Sequence, residues 1–194
     1  LPGWRTDAPA TLYWLNALDG GDPRQDKAMR DEVATLAAPF TGQPVSLGQF
    51  PTRISAVHWG DATNAVVEET WYKTRMRRIS RLDPSHPGSA PALLYSGASD
   101  DRYGDPGEPL PTKTAGGAEL LDIRNGGVIF SGPGGTPEGD RPFVLRMALS
   151  DGKRTELWRS SATFFEQPQE VLDDGRILIR RESATVSPNF FLTG

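Results

Sequence analysis

The stretch with the most chemical potential runs from Glu68 to Pro84, "EETWYKTRMRRISRLDP", and carries five cations: Lys73, Arg75, Arg77, Arg78 and Arg81. The chain around it is acidic, with a formal net charge of -4 over 194 residues. A basic run of this kind can recognise an acidic ligand. It can also be a solvated strand whose cations pair with carboxylates such as Glu68 and Glu69, which is the simpler reading. On a strand, successive side chains point to opposite faces. That alternation puts Arg75, Arg77, Ile79 and Arg81 on one face and Met76, Arg78, Ser80 and Leu82 on the other. Arg75 and Arg77 are therefore the candidate substrate-contact residues, on condition that their face meets a ligand.

Other chemistry is sparse. The chain has two histidines. His58 falls inside a strand-like run beside Trp59 and reads as a packed, hydrogen-bonded residue; His86 falls in the loop "DPSHPGSAP". A Ser-His-Asp relay needs three groups meeting in space, and these two histidines do not define one. No G-x-S-x-G nucleophile elbow occurs, so no catalytic residue is assigned. A histidine-based metal site would need more ligands than are present. The acidic loop "SDDRYGDPGEP" groups Asp100, Asp101, Asp105 and Glu108, and oxygen-rich loops can hold calcium. Its spacing fails the EF-hand pattern, and Asp-Gly-Pro density is typical of a long turn. The Gly-rich "SGPGGTPEGD" has no Lys-Ser/Thr partner and opens no helix, so it reads as a hairpin connection, not a phosphate loop. No metal and no cofactor are expected.

The elements that must position these residues are short. Gly (21) and Pro (17) punctuate brief apolar runs rich in Trp, Phe and Tyr, which is the composition of an all-β protein with many turns. Expected strands are Ala10–Leu18, Asp31–Phe40, Pro44–Phe50, Arg53–Gly60, Asn64–Tyr72, Arg75–Pro84, Pro91–Gly97, Ala118–Ile123, Gly127–Gly132, Pro142–Ser150 and Arg154–Ser160. Two further strands are expected within Gln169–Ser183, and a last one in "NFFLTG". Only "DPRQDKAMRDEVATLAA" has any helical character, and its Pro and β-branched residues oppose it. The strands fall into groups, with second strands starting near Thr11, Ala65, Gly127 and Arg176. Each group is about one four-stranded blade. The turns "WGDATN" and "LDDGR" suit the link between first and second strands, and "SDGK" that between third and fourth. The architecture expected is a partial β-propeller of about three to four four-stranded blades with incomplete terminal blades. A β-sandwich is the alternative.

Composition bounds the function further. The length suits one domain, residues 1–194, as a fragment of one β-propeller. With no Cys, disulfide frameworks and thiolate metal sites are excluded. No apolar run approaches the ~20 residues of a membrane helix, and the acidic balance argues against a general nucleic-acid binder. A start without Met reads as a chain cut from something longer. An arc of blades exposes two sheet faces, which predicts self-association.

Five segments in order, "WRTDAPATLYWLNALDGGDP", "WYKTR", "DDRYGDPG", "GTPEGDRPF" and "RRESATVSPNFFL", carry a resemblance over nearly the whole chain. They resemble the N-terminal β-propeller of glutamyl endopeptidase-like serine peptidases of the prolyl oligopeptidase family, in bacterial members or their chloroplast relatives. The resemblance implies a propeller that screens peptide substrates and a catalytic α/β-hydrolase domain elsewhere in the parent chain. This chain alone would then be inert, with the remaining blades, the catalytic domain and peptide substrates as its partners. It also implies hydrolysis after Glu and an exported, periplasmic or secreted, bacterial setting. A free-standing propeller-type module that binds protein or glycan is the alternative function. If the parent prefers Glu, cations on Arg75 and Arg77 would favour acidic peptides by field alone.

Overall fold

The computed structural model describes residues 2–161 and 163–193, and among them there are strands and turns but no helix. The chain divides into two compact units, Leu1–Asp100 with Lys113–Leu121, and Asp101–Thr112 with Asp122–Gly194.

The first unit holds two four-stranded antiparallel sheets, each running in chain order. The first sheet comprises Gly3–Trp4, Thr11–Ala17, Asp31–Ala37 and Val45–Phe50. Its opening strand was not expected from the sequence; two residues paired through Gly3↔Tyr13 and Trp4↔Leu12 are too short to show a period. The third strand, Asp31–Ala37, falls within the expected Asp31–Phe40, because Val33 and Thr35 alternate inward while Glu32 and Leu36 are only partly buried. The second sheet comprises Arg53–Asp61, Asn64–Trp71, Met76–Leu82 and Ala92–Ala98. Facing side chains of the two sheets meet in one core: Val33, Leu47 and Phe50 from the first, and Ile54, Trp59, Ala65, Val67 and Leu82 from the second. The fully buried Val, Leu and Phe side chains among them contribute roughly 1.5–3 kcal/mol each. Tyr13 packs edge-on against Trp59 at 5.1 Å, and Leu120 of the strand Glu119–Leu121 closes the same core. On the other face of the second sheet Val66 and Ile79 are fully buried too.

The second unit holds a sheet of Ile123–Arg124, Gly127–Gly132, Phe143–Ala148 and Arg154–Arg159, with Glu108–Pro109 also paired to Gly127–Gly132. The last sheet has three described strands, Phe165–Val171, Ile177–Glu182 and Asn189–Thr193. Ile129 and Val144 pack on Val171, Ile177 and Ile179 between these two sheets. The turn in "LDDGR" closes with the Leu172 amide on the Arg176 carbonyl at 2.8 Å, and Gly175 takes the φ of +86° that an L side chain resists. Gly107, at a φ of +78°, is required for a second reason as well: a Cβ there would lie 2.0 Å from the Ser131 carbonyl oxygen.

Candidate functional site

The basic run enters the second sheet at its third strand. The strand starts at Met76, so Arg75 is not part of it. Arg75 is the last residue of the preceding turn, with a left-handed φ of +53°. Its expected alignment with Arg77 on one strand face is therefore corrected: a chain turning through positive φ does not continue the period of two. Its guanidinium is mostly exposed and pairs with the exposed Asp100 at 2.7 Å.

Arg77 does sit on the strand, opposite Thr70, on the same face as Glu68. It is 7% exposed and Glu68 5%. Arg77 donates to Glu68 Oε2 at 2.6 Å, and His58 Nε2 of the neighbouring strand lies 2.7 Å from Oε1. Three consecutive strands thus contribute one residue each to a His58–Glu68–Arg77 cluster. Both carboxylate oxygens are engaged, which is how a buried charge is made tolerable. A nucleophilic relay would need a hydroxyl on His58, and among the described residues none is hydrogen-bonded to it.

The remaining cations are anchored differently. On the opposite face Glu69 accepts from the Thr52 amide at 3.2 Å and its hydroxyl at 2.7 Å. Arg78 Nε stands 3.7 Å from Glu69, beyond hydrogen-bond reach, and has no hydrogen-bond acceptor among the described residues. Arg81 donates to Asn64 Oδ1 at 2.8 Å. Lys73 donates to the Pro23 carbonyl at 2.7 Å and lies 5.7 Å from the Trp71 ring.

A second charged cluster in the same unit escaped the sequence reading. Asp19, from the turn-rich "DGGDP", is buried between Arg30 at 2.8 Å and Arg53 at 2.6 Å. Arg53 also holds Asp31, whose second oxygen accepts the Ile54 amide at 2.8 Å. The Arg30 guanidinium stacks 4.2 Å over Trp71. Hydrogen bonds from Arg53, then from Arg30 and the Gly21 amide, hold the Asp19 carboxyl below the usual carboxylate range despite its burial. The same contact raises Arg53. The partners are 11, 22 and 34 positions apart, so no local motif signals them.

The other singled-out segments serve as turns. Asp101 accepts the Tyr103 and Gly104 amides, and Asp105 the Gly107 amide. Among the described residues no group of three or more His, Cys, Asp or Glu is placed to hold a metal. His86 is exposed and lies 3.0 Å from Asp83. The Gly-rich connection contains a small hairpin, Gly135–Thr136 with Gly139–Asp140. Each unit has a cleft: one of about 370 Å³ beside Ser46, Gln49 and Pro91, the other of about 400 Å³ beside Pro142, Phe165 and Gln167. Neither includes a residue of the basic run.

No protein-family model matches the chain. It is 32% identical over 207 residues to a probable chloroplastic glutamyl endopeptidase of Oryza sativa subsp. japonica, a match covering 97% of this chain and 22% of that protein. It is 31% identical over 208 residues to the corresponding probable chloroplastic glutamyl endopeptidase of Arabidopsis thaliana, again 97% of this chain and 22% of the relative. The chain thus spans about a fifth of the length of the curated relatives it matches, and both are plant proteins.

Proposed function

We propose that the chain is a β-propeller segment of a glutamyl endopeptidase-like serine peptidase of the prolyl oligopeptidase family. It would control which peptides reach a catalytic domain elsewhere in the parent polypeptide. The observation that carries this reading is the coverage: 97% of the chain matches only 22% of two proteins named as glutamyl endopeptidases. Successive antiparallel sheets, two of four strands, one of four strands in chain order with a fifth short strand paired to it, and one of three described strands, support it, since the four-stranded antiparallel sheet is the unit from which propeller blades are built. The first test is the purified chain with peptides whose scissile bond follows Glu. No turnover is expected, and hydrolysis abolished by a serine-reactive inhibitor would overturn the assignment of catalysis to another part of the parent.

Within this reading the substrate-contact role of the basic run narrows to Arg75. Its guanidinium is exposed and its pairing with Asp100 is one that a competing carboxylate can displace. Arg77 is a positioning residue, because its charge is committed to buried Glu68. In the parent enzyme Arg75→Glu is expected to raise KM for acidic peptides at unchanged kcat. An unchanged KM removes Arg75 from substrate recognition and leaves the gating proposal standing.

A further inference from the structure

The chain has four asparagines, and the fold leaves one of them chemically free. Asn16 accepts from Trp14 and donates to Glu32. Asn64 donates to Asp61 and accepts from Arg81. Asn189 accepts the Phe190 amide. Asn125 is exposed, and its side chain makes no hydrogen bond among the described residues. Asn125 and Gly126 form the two-residue turn between Ile123–Arg124 and Gly127–Gly132. Their φ values of +48° and +72° are both positive, as a type I′ hairpin turn requires. The Gly126 amide has no acceptor among the described residues, and a Cβ on Gly126 would meet nothing within 4 Å. Arg146, opposite Ile129 on Phe143–Ala148, lays its side chain across Gly127, where a Cβ would lie 2.8 Å from Arg146 Cγ. Its Nη1 donates to the Asn125 carbonyl at 3.1 Å, the one hydrogen bond this guanidinium makes among the described residues. That carbonyl belongs to the peptide bond whose nitrogen is Gly126. The nearest carboxylate in sequence, Asp122, is held by Arg124 at 2.7 Å.

We propose that Asn125–Gly126 is a self-modifying site, at which the chain converts Asn125 to aspartate or its β-linked isomer and Arg146 promotes the step. Hydroxide removes the Gly126 amide proton, and the negative charge left on that amide spreads onto the Asn125 carbonyl oxygen. The Arg146 guanidinium already sits on this oxygen and stabilises the charge as it develops. The Gly126 nitrogen then bonds to Asn125 Cγ, the Cγ–Nδ2 bond breaks, and ammonia leaves with a proton from water. Water opens the resulting succinimide at either carbonyl, and no oxidant or reductant is needed. The turn closes an arm of only two paired positions, Ile123↔Val128 and Arg124↔Gly127, so the opening that brings nitrogen to Cγ is a local one. The product places an anion in the turn and makes the net charge one unit more negative than -4. The β-linked isomer also lengthens the backbone of the turn. That loosens Arg124, which donates to the Val171 and Leu172 carbonyls. The inference does not rest on the peptidase reading.

Peptide mass spectrometry of the chain aged in neutral buffer tests it. The mass gain of amide-to-acid conversion is expected at position 125 ahead of positions 16, 64 and 189. Arg146→Met is expected to slow the conversion several-fold in the folded chain, and Arg146→Lys, which keeps a cation of shorter reach, to fall between the two. In concentrated urea all three chains are expected to convert at one rate, because Arg146 then no longer lies on the Asn125 carbonyl. Urea unfolding curves show whether each variant is folded. Should Arg146→Met unfold, Arg146→Lys decides, and a folded-state rate equal to that of the unsubstituted chain counts against Arg146. No conversion at position 125 in the folded chain, a folded Arg146→Met that converts as fast or faster, or a difference that persists in urea overturns the inference.

Discussion

The second sheet and the last sheet are built on the same antiparallel meander and treat charge in opposite ways. In the second, Arg77 and Glu68 are drawn into the interior as a pair, with side chains 9% and 7% exposed. In the last, Arg180 and Glu182 form a pair of similar length on the surface, at 32% and 30%. Val66 and Ile79 bury the face of the second sheet that carries its pair. The corresponding face of the last sheet leaves Phe165, Phe190 and Leu192 open. An ion pair of one geometry is thus a fixed part of a core in one place and a solvated ornament in the other. What decides between them is the packing on that face, not the residue types.

Breaking the two pairs separates these cases most sharply. Arg77→Met removes the guanidinium from buried Glu68 and is expected to cost about 4 kcal/mol in urea unfolding. Arg180→Met should cost less than about 1 kcal/mol. Comparable losses would mean that water reaches Glu68 as freely as Glu182. Core truncation gives the next largest contrast. Ile79→Ala is expected to lose about 3 kcal/mol, and Leu192→Ala about 0.5 kcal/mol, read from the same unfolding curves.

Acid titration sharpens the comparison through Asp19, another buried anion of the first unit. Its carboxyl is held below the ordinary range mainly by Arg53. The stabilisation is therefore complete above the unfolded value and is lost as pH falls toward the lowered folded one. Asp19→Asn is expected to be less stable at neutral pH and to lose less on acidification. Parallel stability profiles for the two proteins would show that the network contributes nothing to pH dependence. The smallest effect concerns the turn before the basic strand. Arg75→Ala and Arg75→Gly both delete the exposed pair with Asp100. At a φ of +53° the glycine variant should exceed the alanine variant by roughly 1 kcal/mol. No difference would mean the turn relaxes.

Much of the sheet order was legible because short strands with a period of two and Gly or Asp turns are local signals. Gly127–Gly132 lies at the expected bounds, and Thr11–Ala17, Asn64–Trp71 and Arg154–Arg159 lie within a residue or two of them. Gly3–Trp4 was not legible, since two residues have no period. The boundary at Arg75 was missed because a left-handed turn residue need not be glycine. The candidate site was read less well. His58 was recognised as a hydrogen-bonded strand residue, yet nothing in its neighbourhood names Glu68, ten positions away, as its partner.

The sequence by itself determined an all-β chain of successive antiparallel strands, the absence of thiol chemistry, and a concentration of cations at one strand. Those follow from composition and from contacts between near neighbours. Only the tertiary structure decided that Arg77 is buried on Glu68 while Arg75 faces water. It also decided that Asp19 binds two distant arginines. Burial and long-range pairing are set by which surfaces come to cover one another, and that information is not carried by any single stretch of chain.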